Sequence, residues 1–209
     1  DPSWDLLLMA YLFSFGAYSI NRMSDFEEDR VSHPDRTAHL ESRRRGLIAI
    51  AAASFLVGYS LALLRNLAFF SGLLVPLLLA VLYSVGSDRM KWFLGISRLK
   101  EGLLVKNLTI SFGWSLIPAL VGLYYLELPA AIMLLAPFIF LRLMVNTILF
   151  DQRDVEADIA YGVKTLPASL GIQGSWKVMD SLDVISAAYL LALVGAGVLP
   201  TFVALLTLF

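Results

Sequence analysis

The chain has 209 residues and a formal net charge of -1, and 58% of its residues are hydrophobic whereas only 16% are charged. With a mean hydropathy of +0.75, this composition excludes an ordinary soluble domain, in which about a quarter of the residues are charged. The balanced charge gives no indication of a nucleic-acid partner, and the lack of cysteine excludes disulfides, thiolate metal sites and a cysteine nucleophile. We therefore predict an all-α, polytopic integral membrane protein.

Apolar segments, taken in chain order, predict six membrane spans and the start of a seventh. Their approximate bounds are 6–20, 47–64, 67–86, 102–125, 128–150 and 184–199, with the incomplete segment at 201–209. Only Arg65 and Asn66 separate the second segment from the third, which predicts a tight antiparallel hairpin. Because the chain begins without a methionine and ends within an apolar segment, we expect residues 1–209 to be a single transmembrane domain truncated at one or both ends.

The polar stretches between these segments carry nearly all the basic residues. Stretches 22–45, 89–106 and 153–177 contain 14 of the 16 Lys and Arg residues. In an alternating topology the three stretches lie on one side of the membrane, and the positive-inside tendency places that side in the cytoplasm. The sequence therefore predicts a functional site towards the cytoplasmic face.

Two acidic clusters lie where apolar segments end. The first follows the first segment with a spacing of four residues, and the second follows the fifth segment with spacings of three and four. Their members are Asn21, Asp25 and Asp29 in the first cluster and Asp151, Asp154 and Asp158 in the second. At about 100° per residue, each set falls on one helical face. We predict one site between the two clusters.

The chemistry of the clusters indicates a metal ion. Carboxylates near helix C-termini face the negative end of the helix dipole and one another, so each cluster needs a cation. Asp and Asn without Cys or His fit a hard divalent ion, and Mg²⁺ usually completes its octahedron with water and phosphate oxygens. We therefore predict all six residues as Mg²⁺ ligands, with a diphosphate bridging the clusters.

Basic side chains near the clusters are candidates for binding that diphosphate. Those assigned to it are Lys100, Arg142, Arg153 and Lys164, together with Asn21, and Arg98 and Lys106 are further candidates. Arg142 and Asn146 lie inside the fifth apolar segment and must face protein or water, because a charge facing lipid costs at least ~2.5 kcal/mol. Tyr83 ends the third segment and is either a site residue or an interfacial anchor, whereas Glu156 is expected to face solvent.

With these residues placed, the chain resembles the UbiA superfamily of intramembrane prenyltransferases over almost its whole length. The two clusters look like the family's two aspartate-rich motifs. Gly162-x-Lys164-Thr165-Leu166-Pro167 is similar to the family's sequence after the second motif, and Tyr83 with Arg98-Leu99-Lys100 resembles its middle loop. The resemblance implies a bundle of about nine helices around a central cavity, of which six to seven are visible here.

The resemblance also implies a Mg²⁺-dependent prenyltransferase. Such an enzyme moves an isoprenyl group from an isoprenyl diphosphate to a lipophilic or aromatic acceptor and releases diphosphate. Membrane lipid surrounds the enzyme and is a further expected partner. The implied catalytic residues are Asp25, Asp29, Asp154, Asp158 and Tyr83. Two alternatives stay open, namely phosphoribosyl transfer to a polyprenyl phosphate and ion-coupled transport. The second is disfavoured, since the acids lie at helix ends and not at mid-span.

Overall fold

The computed structural model describes residues 3–24, 34–85, 91–92, 95, 98–99, 102–161 and 164–208. These residues are predominantly helical, which confirms the predicted all-α class. Contacts divide the chain into two compact units, Asp1–Arg89 and Met90–Phe209. Each unit has its own helix packing, and a single domain over residues 1–209 stays a prediction.

Unit 1 contains four helices in the part of the chain that is described. They are Trp4–Ser24 (α1), Pro34–Ser42 (α2), Arg44–Arg65 (α3) and Leu67–Ser84 (α4). Helix α1 packs against α3 and α4, which form the predicted hairpin. Extended Asn66 joins them, and its side chain accepts a hydrogen bond from the Phe69 amide and so caps α4. The Tyr59 hydroxyl donates to the Leu73 carbonyl at 2.8 Å and ties α3 to α4.

Unit 2 is organised around the helix Leu135–Arg153, which packs against two others. Its described elements are Val105–Ser115 (α5), Ile117–Tyr125 (α6), Ala130–Met133 (α7), Leu135–Arg153 (α8), Val155–Tyr161 (α9), Leu166–Gly195 (α10) and a 3₁₀ helix, Thr201–Leu208. Helix α8 packs against both α5 and α10. Met144 and Ile148 of α8 form a buried core cluster with Leu166 and Met179 of α10. The core therefore fixes α8 and α10 side by side.

Five stretches of the described residues are long and apolar enough to cross a membrane, which supports the predicted integral membrane protein. They are Arg44–Arg65, Leu67–Ser84, Val105–Tyr125, Ala130–Arg153 and Leu166–Gly195. Helix α1, the counterpart of the first predicted span, has 21 residues and is not among the five.

The largest difference from the sequence prediction concerns the start of the sixth span. We predicted a polar loop to residue 177 and a span from residue 184, but α10 already begins at Leu166. Thr165 accepts a hydrogen bond from the Ala168 amide, and Pro167 occupies the first turn, so both residues favour a helix start. Gly171, with φ of 71°, then introduces a kink. The segment 166–177, which was predicted to belong to a polar loop, therefore forms the first turns of a helix that is capped by Thr165 and kinked at Gly171.

Candidate functional site

In unit 1, the end of α1 lies against the end of α4. The side-chain oxygen of Asn21 accepts a hydrogen bond from the Ser84 hydroxyl at 3.3 Å. Partly buried Tyr83 precedes Ser84, so the two predicted site residues Asn21 and Tyr83 lie at the same end of this unit. Asp25 and Asp29, predicted as metal ligands, fall outside the described residues.

In unit 2, Asp151 lies in the last turn of α8 and is almost completely buried, with 1% of its side chain exposed. The Lys106 ammonium group donates to its Oδ1 at 2.6 Å, and the Asn107 amide donates to its Oδ2 at 2.9 Å. Both donors belong to the first turn of α5. Side chains of α5 therefore engage both oxygens of this carboxylate.

Asp154 follows the last residue of α8 and has very different surroundings. Its side chain is 52% exposed, and its two oxygens accept hydrogen bonds from Nε and Nη2 of Arg153 at 3.0 and 3.2 Å. Because Arg153 is 70% exposed and Asp154 is 52% exposed, water screens this pair and it contributes little to folding. The predicted metal ligand and the predicted diphosphate-binding residue thus lie side by side on an accessible surface.

Asp158 lies in α9, where its Oδ2 accepts a hydrogen bond from the Thr165 hydroxyl at 3.0 Å. Burial raises the pKa of the Asp158 carboxyl above its ordinary value, while the hydrogen bond from Thr165 and the charge of Lys106 act against this shift. A pKa raised in the folded protein disfavours the charged form. Asp158 therefore makes folding less favourable as the pH rises past the ordinary Asp pKa, and a nearby cation would offset this cost.

The second cluster fits a magnesium ion in donor chemistry, although its members are not equivalent. Asp151 and Asp154 both act electrostatically on Asp158. Among the described residues, however, no three acidic or histidine side chains form a group that could hold a metal ion. Oxygen donors at Asp154 and Asp158 suit Mg²⁺, which usually keeps several waters and needs an accessible site. The Mg²⁺ site stays a prediction.

The predicted diphosphate-binding residues are dispersed. Lys164 is exposed directly before Thr165, whereas Lys100 lies outside the described residues. Arg142 donates a hydrogen bond from Nη1 to Asp183 of α10, and nine residues separate it from Asp151, about 14 Å along α8. The structure thus gives Arg142 a partner far from the acidic cluster.

A groove of about 280 Å³ adjoins the Lys106–Asp151 pair on unit 2. Its walls come from α5 and α8, and they are mainly apolar, with Trp114 and Phe150 among the lining side chains. Asn146 also lines it, in agreement with the expectation that this polar residue faces protein or water. The groove therefore has a charged end and an apolar wall.

The sequence analysis gave no role as a partner to three residues of this region: Asn107, Thr165 and Asp183. For Asn107 and Asp183 the signal was a polar residue inside, or directly before, a predicted apolar segment, whereas Thr165 lay in the predicted polar loop. Asp183 lies 41 residues from Arg142, and a separation of that size carries no spacing rule. Only the packing of α8 against α10 shows that the two charges meet.

Comparison with known proteins gives a consistent result. The model of the UbiA prenyltransferase family matches residues 2–209. A digeranylgeranylglyceryl phosphate synthase from Methanothermobacter thermautotrophicus is 32% identical over 195 residues, which are 91% of this chain and 65% of that protein. The enzyme of the same name from Sulfurisphaera tokodaii is 29% identical over 185 residues, which are 86% of this chain and 61% of that protein.

A third relative of the same name, from Methanopyrus kandleri, is 32% identical over 170 residues, which are 78% of this chain and 56% of that protein. The chain thus spans less than two thirds of the length of these curated relatives. No solved structure matches the chain significantly.

Proposed function

The chain belongs to the UbiA prenyltransferase family, and on that basis we propose that it transfers an isoprenyl group from an isoprenyl diphosphate to a lipophilic acceptor, with release of diphosphate. The family match over residues 2–209 is the observation that carries this proposal. The exposed carboxylate of Asp154 at the end of a candidate membrane span adds support, since a polar diphosphate must be held where an apolar chain can enter the membrane.

The names of the relatives suggest the two substrates. They are synthases of digeranylgeranylglyceryl phosphate, a glyceryl phosphate that carries two geranylgeranyl groups. We propose a geranylgeranyl diphosphate donor for this chain, and an acceptor glyceryl phosphate that already carries one geranylgeranyl group. Both molecules combine an anionic head with a long apolar tail, which suits a site at the end of membrane-spanning helices.

Each acidic cluster is proposed to contribute magnesium ligands. Asp154 and Asp158 would serve in the second cluster, and Asn21, Asp25 and Asp29 in the first. Mg²⁺, when bound, supplies positive charge that stabilises the diphosphate as it leaves. The carboxylates would hold the ion in place before the reaction, so that no rearrangement of the protein is needed as the diphosphate leaves.

Basic residues would bind the phosphate oxygens directly. We assign this role to Lys100, Arg153 and Lys164, because the exposed side chains of Arg153 and Lys164 are near the second cluster in sequence and charge-assisted hydrogen bonds to phosphate are strong. Tyr83 is proposed to lie near the reacting carbon. For Arg142, diphosphate binding is proposed only as an alternative to its pairing with Asp183.

The proposed reaction breaks the bond between C1 of the isoprenyl group and the diphosphate oxygen, and the electron pair leaves with diphosphate. The acceptor hydroxyl oxygen then forms a bond to the electron-poor C1 and loses its proton, which gives an ether. Apolar helices exclude water, which would otherwise capture C1 and yield a prenyl alcohol.

The test is a diphosphate-release assay on the detergent-purified protein with Mg²⁺. We expect release and an ether product, detected by mass spectrometry, when geranylgeranyl diphosphate and geranylgeranylglyceryl phosphate are both present. Chelation of Mg²⁺ should abolish both signals. Release only from phosphoribosyl diphosphate with a polyprenyl phosphate would support the alternative transferase, whereas solute transport into proteoliposomes without a chemical product would support a transporter.

The cytoplasmic orientation gives a further prediction. Because the chain has no cysteine, a single introduced cysteine reports its own side of the membrane. Exposed Glu156 lies in α9, and exposed Glu127 lies at the other end of the spans, between α6 and α7. We expect a membrane-impermeant maleimide to label Glu156→Cys only from the cytoplasmic side and Glu127→Cys only from the opposite side. The reverse pattern would contradict the proposed orientation.

A further inference from the structure

We propose that Lys106 is the permanent counter-cation of Asp151, so that this carboxylate anchors the second acidic cluster and is not a Mg²⁺ ligand. This inference rests on the proposed function, since it leaves metal binding in the cluster to Asp154 and Asp158. It also revises the prediction from the sequence, which counted Asp151 among the Mg²⁺ ligands.

The protein itself balances the charge of the buried Asp151 carboxylate. Asp151 is 1% exposed, and both of its oxygens are engaged, at 2.6 Å by Lys106 and at 2.9 Å by Asn107. The positive end of the α5 dipole also faces this carboxylate, because both donors lie in the first turn of α5. The charge of Asp151 is thus compensated by the protein itself, without a metal ion.

Access to Asp151 also disfavours a metal ion. Mg²⁺ gives up its water ligands reluctantly and normally keeps several of them. A hydrated ion cannot reach a carboxylate that is 1% exposed unless Lys106, which is 33% exposed, moves away, and that movement would leave the buried carboxylate without its counter-charge. Asp154, by contrast, is 52% exposed, and the exposed Arg153 donates to both of its oxygens. An ion that enters the cluster would meet Asp154 first.

The backbone before α5 also places Lys106. Leu104, directly before α5, has φ of 63°, a left-handed conformation that strains a non-glycine residue. Its side chain packs against the core cluster of Met144, Ile148, Leu166 and Met179. The core therefore holds a strained residue that fixes where α5 begins, and with it the position of Lys106.

The consequence is a positioning role for the pair. Asp154 lies three residues after Asp151, and the Asp158 amide donates to the Asp154 carbonyl at 2.9 Å. Fixing Asp151 therefore fixes the end of α8, and the backbone continues from that point to both proposed metal ligands. Lys106 therefore positions the metal site through Asp151, and its charge also acts on Asp158.

The test compares four variants in detergent by Mn²⁺ binding, followed by electron paramagnetic resonance, and by thermal unfolding. Lys106→Met leaves the buried Asp151 without its counter-charge, and Asp151→Asn leaves the partly buried Lys106 without its partner. The double variant Lys106→Met/Asp151→Asn removes both charges. We expect the double variant to be more thermostable than either single variant and to keep the Mn²⁺ dissociation constant within about threefold. Asp154→Asn should weaken Mn²⁺ binding at least tenfold.

Two outcomes would overturn this inference. If the double variant loses Mn²⁺ affinity as strongly as Asp154→Asn does, Asp151 is a ligand. If Lys106→Met unfolds at the same temperature as the unchanged protein, Lys106 does not compensate Asp151. A different result, in which the unchanged protein binds no Mn²⁺ while the stability pattern is as expected, would count against the proposed metal-dependent function and leave Lys106 as the counter-cation.

Discussion

Asp154→Asn should reduce Mg²⁺-dependent prenyl transfer on the order of 100-fold while the protein stays folded. The substitution keeps the shape of the side chain but removes the negative charge proposed to hold Mg²⁺. Folding should be preserved, because Asp154 is half-exposed and its pair with the exposed Arg153 is screened by water. The rate of diphosphate release at saturating donor, measured over a range of Mg²⁺ concentrations, gives the result.

Glu156→Gln is the matched control for this experiment. Glu156 is an exposed acidic residue two positions further along the chain, in α9, and was expected from the sequence to face solvent. The control removes the same charge from the same surface, so it should keep nearly full activity and the same Mg²⁺ requirement. Equal losses in both variants would mean that general surface charge, and not a ligand at Asp154, determines the activity.

Arg142→Met and Asp183→Asn should each destabilise the protein by roughly 2–3 kcal/mol, since each leaves one charge without its partner inside a candidate membrane span. The two side chains are hydrogen-bonded to each other and are 25% and 40% exposed. Their pairing joins α8 to α10 in the middle of unit 2. Unfolding by denaturant in lipid bicelles, followed by circular dichroism, measures the loss.

The double variant Arg142→Met/Asp183→Asn separates the two roles considered for Arg142. If the pair is structural, removing both charges should recover most of the stability and leave the KM for the donor unchanged. A large rise in that KM despite recovered stability would instead assign Arg142 to diphosphate binding. Lys177→Met, at an exposed position on α10, should have little effect in either measurement and serves as the control.

The fold class and most spans could be predicted from the sequence, because hydropathy indicates which segments are apolar enough to lie in lipid instead of water. The hairpin at Asn66 was equally visible, since two long apolar segments met with no room for a loop. The early start of α10 could not be predicted in this way. Thr165, Pro167 and Gly171 are polar or helix-breaking residues when read one by one, and only together do they cap, begin and bend a helix.

The candidate site could also be predicted only in part. The positions of the acidic residues at the ends of apolar segments were visible, and they carried the resemblance that the family match confirmed. Their individual environments were not visible, because burial depends on which helix covers each side chain. Asp151 and Asp154 are three residues apart, but one is 1% exposed and the other 52%.

By itself, the sequence determined that this protein is a helical membrane protein of the UbiA family with acidic residues after two of its apolar segments, because composition, hydropathy and motif order are local properties of the chain. Tertiary structure alone decided which charges meet. Lys106 reaches Asp151 across 45 residues, and Arg142 reaches Asp183 across 41. Such pairs form because helix packing brings distant charges together and removes them from water, where an unpaired charge is costly.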